Sequence, residues 1–187
     1  YALQHRGQEA AGIAVSDGSA LVVYKDLGLV AQVFDEPTLD SLRGHIAIGH
    51  CRYSTTGSST WENAQPTFRT TRTGTGIALG HNGNLVNTAD LADRAAKLGV
   101  ADATVTTDSD LITGLLTGYP DLSVEAAAVK VLPTLRGAFS LVFMDEHTLY
   151  AARDGYGVRP LVLGRLDRGW VVANETAALD IVGASFV

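Results

Sequence analysis

Residues 77–85 carry the sequence IALGHNGNL, and the predicted structure changes from strands to helices at this stretch. Its apolar part, 77–81, predicts a strand that leads into Asn82-Gly83-Asn84. Upstream, short apolar runs separated by turn residues predict strands at 11–15, 21–24, 29–34 and 45–50. A single short helical piece, opened by Pro37, interrupts these strands at 37–42.

Downstream of this stretch the pattern becomes helical and then returns to strands. Helices are expected after Asn87 or Thr88, after Thr107 and after Ser123, where small polar residues can cap them. Strands follow at 138–145, 148–152, 161–166 and 170–173, and a last short helix at 176–182. This order predicts an α+β protein with mainly antiparallel sheets and helices outside them, and it excludes a doubly wound Rossmann sheet.

Composition and charge exclude several classes of protein. The 187 residues are 46 % hydrophobic and 18 % charged, which excludes a disordered chain. The formal net charge of −6, without a basic stripe, argues against nucleic-acid binding. No apolar run reaches the length of a membrane span. A single cysteine forms no internal disulfide and favours a reducing, cytoplasmic location.

Three polar segments are candidates for a site, and the residues alone leave two interpretations for each. Arg52 offers a fork of donors for a carboxylate or phosphate, or it pairs with a structural acid. Asp108 holds a ligand ammonium group, or it stabilises the first turn of a helix. Asn82 and Gly83 form an oxyanion hole, or they form a turn, which is the commoner use of Asn-Gly.

Cys51 and the histidines give no catalytic or metal-binding pattern. Neighbouring residues of a strand point to opposite faces, so Cys51 and His50 do not pair directly. We therefore expect Cys51 to be a buried, inert thiol. The five histidines of the chain show no metal-ligand spacing.

Six motifs taken together resemble one family. They are QHRGQ at 4–8, GHCRYSTTGSS at 49–59, NAQP at 63–66, HNGNL at 81–85, TTDSD at 106–110 and RDGYGVRPL at 153–161. This ordered set resembles the glutaminase domain of the amidophosphoribosyltransferase family over essentially the whole chain. The two serines at 58–59 and the NAQP motif favour this family over glucosamine-6-phosphate synthase and asparagine synthetase.

The resemblance implies a fold and a substrate. The fold would be that of the N-terminal-nucleophile (Ntn) hydrolases, a four-layer αββα sandwich of two mainly antiparallel sheets. The substrate would be L-glutamine, with its α-carboxylate on Arg52 and its α-ammonium group on Asp108. Asn82 and the Gly83 N–H would form the oxyanion hole.

In this family the nucleophile is an N-terminal cysteine whose α-amino group acts as the general base. The resemblance implies that Arg6 and Gly7 help to place this nucleophile and that Thr55 supports the carboxylate site. The sequence starts at Tyr1 without that cysteine, and Cys51 does not replace it. We therefore expect residues 1–187 to be a glutaminase domain truncated at both ends and inactive as given.

The resemblance also implies a phosphoribosyltransferase domain after residue 187. It would combine the ammonia with phosphoribosyl pyrophosphate to give 5-phosphoribosylamine in de novo purine biosynthesis, and it would use Mg²⁺. No cofactor is expected in the present domain, and any iron–sulfur cluster would lie outside it, because one cysteine cannot hold one. Homo-oligomers are usual in the family, and no nucleic-acid or membrane partner is expected. The alternatives are a non-catalytic glutamine-binding homologue or the glutaminase half of another amidotransferase.

Overall fold

The computed structural model describes residues 1–53, 60–102 and 105–187. Its strands are β1 Ala10–Ser16, β2 Leu21–Leu27, β3 Ile46–Arg52, β4 Thr67–Thr70, β5 Gly76–Leu85, β6 Gly137–Met144, β7 Leu149–Arg153, β8 Val162–Leu166, β9 Gly169–Ala173 and β10 Ser185–Phe186. Its α-helices are α1 Val30–Val33, α2 Glu36–Ser41, α3 Thr88–Lys97, α4 Asp108–Thr117, α5 Val124–Val131 and α6 Thr176–Ile181. In this part of the chain no helix has both the length and the apolar character needed to cross a membrane.

The strands form antiparallel sheets, as the sequence predicts. One sheet has the order β2-β1-β3, and a second has the order β4-β5-β6-β7. A third, three-stranded sheet, β10-β8-β9, was not expected. Every strand pair in these three sheets is antiparallel, which confirms the α+β class.

The hairpin between β1 and β2 has the turn that its sequence predicts. Gly18 has a φ of +92°, a left-handed conformation that glycine adopts without steric cost. Asp17 Oδ1 accepts hydrogen bonds from the N–H groups of Ser19 and Ala20 at 2.8 and 3.1 Å. These bonds fix the register of the pair, in which Ser16 lies opposite Leu21.

The four-stranded sheet lies between helices and the first sheet. On one face, Leu79 of β5 and Leu141 of β6 belong to a buried cluster with Leu91 of α3 and with Ile112 and Leu115 of α4. Helix α5 contributes Val124, Ala128 and Val131 to the same cluster. Burial of these apolar side chains is the main stabilising contribution of this layer.

The opposite face of the four-stranded sheet packs on the first sheet. Ala78 of β5 and Met144 of β6 form a second buried cluster with Ala14 of β1 and Ile48 of β3. Helix α1 contacts β1 and β2 of the first sheet. Helices, sheet and sheet thus follow one another in the order expected for the sandwich, and this stacking brings β3 next to β5.

Two local predictions are wrong because long-range contacts override local preference. Residues 29–34 do not form a strand, since Val30–Val33 is helical. The Val30 N–H donates to Gln4 Oε1 at 2.7 Å, and the Leu29 N–H donates to Gln32 Oε1 at 2.8 Å, which satisfies the start of a helical turn. The turn interpretation of Asn82-Gly83 is also wrong, because β5 continues to Leu85 and pairs with β6 throughout.

The predicted caps of the middle helices are confirmed in two of three cases. Thr107 and Ser123 accept hydrogen bonds from the backbone of Asp110 and Ala126 at 3.3 and 3.2 Å. Asn87 occupies the N-cap position of α3, but its side chain does not cap the helix. It bonds instead to the backbone of Thr134 and Arg136, which ties α3 to the start of β6.

Substitution of a core residue in β5 tests this packing. Leu79 has no exposed surface, so Leu79→Ala should lower the free energy of unfolding by about 2–5 kcal/mol through lost burial and a residual cavity. Val129 is 68 % exposed, so the control Val129→Ala should change it by less than about 0.5 kcal/mol. Urea denaturation measures both values, and equal effects would contradict the described core.

Candidate active site

A cleft of about 480 Å³ lies where the end of β3, the last part of β5 and the start of α4 meet. It brings together five of the seven predicted site residues, which are Arg6, Arg52, Asn82, Gly83 and Asp108. Gly7 lies behind the cleft, where a Cβ would approach Cys51 O and Arg52 C within 2.4 Å. The seventh, Thr55, lies outside the described residues, so its predicted role stays a prediction.

Arg52 is a cationic group of the cleft and ends strand β3. The residue is only 4 % exposed, and its Nη1 lies 3.4 Å from Glu9 Oε2. Burial of a guanidinium group is costly unless it is paired. The ion pair with Glu9 offsets part of this cost and holds the side chain in the cleft wall.

Asp108 is an anionic group of the cleft and the first residue of α4. Its Oδ2 accepts a hydrogen bond from the Leu85 N–H at 3.0 Å, and its Oδ1 lies 3.5 Å from His81 Nδ1. Burial raises the pKa of Asp108, but hydrogen bonds from His81, from the Leu85 N–H and from the Ser109 N–H outweigh burial and hold it below its ordinary value. The group is therefore an ionised carboxylate at neutral pH.

The edge of β5 presents its backbone donors to the cleft. Strand β4 pairs with β5 only at residues 76–79, so the N–H groups of residues 81 and 85 on this edge take side-chain partners. The His81 N–H donates to Gln65 Oε1 at 2.7 Å, and the Leu85 N–H donates to Asp108. Since every second N–H of a strand points the same way, the N–H of Gly83 faces this edge between the two.

The partner of Gly83 across the sheet supports this direction. Phe139 lies opposite Gly83, but it directs both its N–H and its C=O at Asp154, at 3.0 Å each. Gly83 thus belongs to a pair that exchanges no hydrogen bond with β6. Gly83 has a φ of +156°, and a Cβ here would lie 2.1 Å from Ala138 O, so only glycine fits.

Asn82 brings a second donor to the same cleft. Its Nδ2 is buried and finds no acceptor among the described residues. An unsatisfied buried amide donor destabilises a fold, so its presence in a cleft indicates a ligand oxygen. Together, the Asn82 amide and the Gly83 N–H can stabilise an oxygen that becomes negative.

Arg6, which the resemblance implies helps to place the nucleophile, is held by an acid that the sequence did not indicate. Arg6 Nη1 and His5 Nε2 each lie 2.8 Å from the carboxylate of Glu175. The hydrogen bond from Arg6, more than that from His5, holds the pKa of Glu175 below its ordinary value despite burial, which acts in the opposite direction. The contacts of Arg6 and His5 with Glu175 link the segment at 4–8 to the region just before α6.

His50 and Cys51 occupy the cleft wall without acting on each other. His50 Nε2 donates to His81 O at 3.1 Å, and its buried Nδ1 has no partner in the described part of the chain. Cys51 lines the cleft and is only partly buried, so the prediction of a buried thiol is wrong. Burial nevertheless raises the pKa of Cys51, which makes it a weak nucleophile at neutral pH.

Sequence interpretation missed further cleft residues, among them Gln65, Ser109, Arg159 and Glu175. Gln65, Ser109 and Arg159 lie in three of the motifs that carry the family resemblance, which was the available signal. Glu175 lies in none of them. Across residues 1–53, 60–102 and 105–187, no three His, Cys, Asp or Glu side chains form a group that could hold a metal ion.

Comparison with known proteins agrees with the chemistry of this cleft. The family profile described as the glutamine amidotransferase domain matches residues 50–180. The chain belongs to the glutamine amidotransferase family. The match includes Arg52, the HNGNL motif and Asp108, so the family assignment covers most of the cleft.

Curated relatives of the chain are named amidophosphoribosyltransferases. The chain is 70 % identical over 192 residues to the amidophosphoribosyltransferase of Mycobacterium bovis and covers 36 % of its length. It is 46 % identical to that of a Synechocystis species, of which it covers 39 %. The glutamine phosphoribosylpyrophosphate amidotransferase of B. subtilis, solved with ADP and GMP, superposes with a TM-score of 0.90 at 36 % identity, over the whole chain and 40 % of that structure. This likeness confirms the Ntn-hydrolase type of fold, and the chain spans well under half the length of these relatives.

The His50 imidazole, whose Nδ1 is buried, should make stability depend on pH. Burial, with a smaller contribution from the nearby Arg52, lowers the pKa of His50 from 6.5 to about 4, although the hydrogen bond to the His81 carbonyl acts in the opposite direction. The unfolded chain therefore takes up a proton below about pH 6.5, whereas the folded chain does so only near pH 4. The free energy of unfolding should fall between these values, by up to about 3 kcal/mol.

Urea denaturation of the wild type and His50→Gln at several pH values measures this dependence. Gln does not titrate, so the variant should lack this part of the slope between pH 6.5 and pH 4. Identical slopes for the two proteins would contradict the buried, neutral state of His50.

Proposed function

We propose that this chain is the glutamine-hydrolysing domain of an amidophosphoribosyltransferase. Ammonia released in the cleft would react with phosphoribosyl pyrophosphate in another part of a longer protein and give 5-phosphoribosylamine and pyrophosphate for purine biosynthesis. The observation that carries the proposal is the single cleft in which Arg52, Asp108, Asn82 and Gly83 meet. The names of the relatives at 70 % and 46 % identity support the reaction of the ammonia with phosphoribosyl pyrophosphate.

The charges of the cleft suit a free α-amino acid. The α-carboxylate would bind to the guanidinium of Arg52, in partial exchange for its contact with Glu9. The α-ammonium group would bind to the ionised carboxylate of Asp108. A peptide has neither charge at an internal glutamine, so this pair would select the free amino acid.

The oxyanion donors would act on the side-chain amide at the other end of the substrate. When a thiolate attacks the amide carbon, the carbonyl oxygen becomes negative. The Asn82 amide and the Gly83 N–H would then donate to it, and their positions are fixed by β5 before the reaction. The collapse of the intermediate would expel ammonia and leave a thioester, which water then hydrolyses to glutamate.

We assign the nucleophile to an N-terminal cysteine of the longer protein, as the resemblance implies. Cys51 is a poor alternative, because burial raises its pKa and no described side chain within its own strand activates it. Arg6, fixed by Glu175, and Gly7, packed on the backbone of residues 51 and 52, would shape the pocket for that cysteine.

The remaining features of the longer protein are also proposals. Mg²⁺ would serve the phosphoribosyltransferase part, where it would neutralise the pyrophosphate. An iron–sulfur cluster, if the protein holds one, would use cysteines outside this chain. A cytoplasmic homo-oligomer is the form we expect, on the strength of the resemblance.

Replacement of Arg52 tests the glutamine site. In the full-length protein, Arg52→Ala should raise the KM for glutamine about 10- to 100-fold, because a charged hydrogen-bond partner of the carboxylate is lost. Ammonium chloride bypasses the cleft, so the ammonia-dependent formation of phosphoribosylamine should keep its wild-type rate. The control Arg168→Ala removes an exposed arginine and should change neither value. An unchanged KM in Arg52→Ala would remove Arg52 from the site.

Replacement of Asn82 tests the oxyanion hole. Asn82→Ala should lower kcat for glutamine hydrolysis about 10²- to 10³-fold with little change in KM, because the donor acts mainly in the transition state. Steady-state release of glutamate measures both parameters. A large rise in KM with an unchanged kcat would show instead that Asn82 binds the ground state.

A further inference from the structure

Gln65 lies in the NAQP motif, and the proposed function gives it no role. The residue is 8 % exposed and lines the cleft. Its backbone is confined by β1, since a Cβ on Gly12 would lie 2.2 Å from Gln65 O. A buried, polar and confined side chain at this place needs a physical explanation.

The two ends of the Gln65 amide bond to two different elements. Its Oε1 accepts from the His81 N–H at 2.7 Å, on the edge of β5. Its Nε2 donates to Ser109 Oγ at 3.0 Å, in the first turn of α4. Rotation of the amide by half a turn would set Nε2 against the His81 N–H, donor against donor, so the side chain has one orientation.

These bonds connect the two halves of the substrate site. Residue 81 precedes the oxyanion donors Asn82 and Gly83, and Ser109 follows Asp108. Ser109 Oγ also lies 3.4 Å from Asp108 Oδ1 and 3.2 Å from His81 Nδ1. The Leu85 N–H holds the other oxygen of Asp108. Asp108 is thus attached to β5 on both sides of the oxyanion donors. At residue 81 the His81 imidazole contacts Asp108 and Ser109 directly, and Gln65 adds the link from Ser109 to the backbone of the strand.

We propose that Gln65 is a positioning residue that fixes the spacing between the Asp108 carboxylate and the oxyanion donors of β5, and so makes the site select amides with an α-ammonium group. This inference rests on the proposed glutaminase function. A substrate of fixed length gains from both ends of the site only when their separation is held constant. Gln65 provides that constraint without touching the reacting atoms.

The test compares L-glutamine with glutaramate, which is the same amide without the α-amino group. The quantity measured is the ratio of kcat/KM for glutamine to kcat/KM for glutaramate, in the full-length protein. A loss that affects both substrates equally, such as a general loss of stability, cancels in this ratio. Loss of the spacing to Asp108 affects only glutamine and lowers the ratio.

Four variants separate the possible causes of a change in this ratio: two at Gln65, one at Asp108 and a control at Thr113. Gln65→Met removes both hydrogen bonds at similar volume and should lower the ratio about tenfold or more. Gln65→Glu keeps an acceptor for the His81 N–H and should give a ratio between those of Gln65→Met and the wild type. Asp108→Asn gives the ratio expected when the ammonium partner is lost.

Thr113→Val is the matched control. Thr113 is buried in α4, and its Oγ1 bonds to Thr67 Oγ1 at 2.6 Å and to Ser109 O at 2.9 Å, outside the cleft. This variant also removes a buried hydrogen bond between α4 and a strand residue, so it should lower stability but leave the ratio within about twofold of the wild type.

The outcomes distinguish this inference from the proposed function. If Asp108→Asn lowers the ratio but both Gln65 variants match Thr113→Val, the role of Gln65 is overturned and the glutamine site stands. If Asp108→Asn itself leaves the ratio unchanged, Asp108 does not bind the ammonium group and the proposed site fails. If Gln65→Met does not fold, the ratio of Gln65→Glu decides alone.

Discussion

The edge of β5 beyond residue 79 is the constraint on which the cleft depends. Strand β4 ends its pairing there, so the following backbone N–H groups on that edge face side chains instead of a neighbouring strand. Buried N–H groups require acceptors, and the fold supplies Gln65 for residue 81 and Asp108 for residue 85. The N–H of Gly83 lies between these two and is directed at the cleft. Because β4 stops pairing with β5 at residue 79, the Gly83 N–H is left as a preorganised donor for a ligand oxygen.

The packing of the two sheets explains why the charged groups meet this edge. Small residues, Ala14 and Ala78, lie at the sheet interface and allow β3 to approach β5 closely. Arg52 ends β3 beside the cleft, and α4 begins at Asp108 because Thr107 caps it there. Each charged residue is therefore placed by an element boundary of the rigid core. A site built in this way needs little reorganisation during reaction.

Much of the fold was predictable from periodicity and cap residues, because most strands and helices agree with their local preference. The hairpin at Gly18 and the helix after Thr107 are examples. The exceptions at 29–34 and at Asn82-Gly83 depend on contacts with Gln4 and with β6, which no local pattern contains. Strands β8 and β9 were predicted, but not that they form a separate sheet. Strands β4 and β10 were not predicted, since short strands carry a weak pattern.

The candidate site was predictable mainly through the family resemblance. Considered alone, Arg52, Asp108 and Asn82-Gly83 each had a structural interpretation, and for Asn82-Gly83 the turn was the commoner one. In the cleft Arg52 pairs with Glu9 and Asp108 bonds to the Leu85 N–H, so each has a structural partner, and the substrate roles of both stay predictions. Gln65 and Glu175 act through partners 16 or more positions away, so their contacts required the structure.

A crystal structure of the full-length protein with the product L-glutamate tests the central claim most directly. The account predicts one glutamate in the cleft, with its α-carboxylate on Arg52 and its α-ammonium group on Asp108. One oxygen of its side-chain carboxylate should lie about 2.7–3.1 Å from both Asn82 Nδ2 and the Gly83 nitrogen. Glutamate bound in the reverse direction, or outside this cleft, would contradict the account.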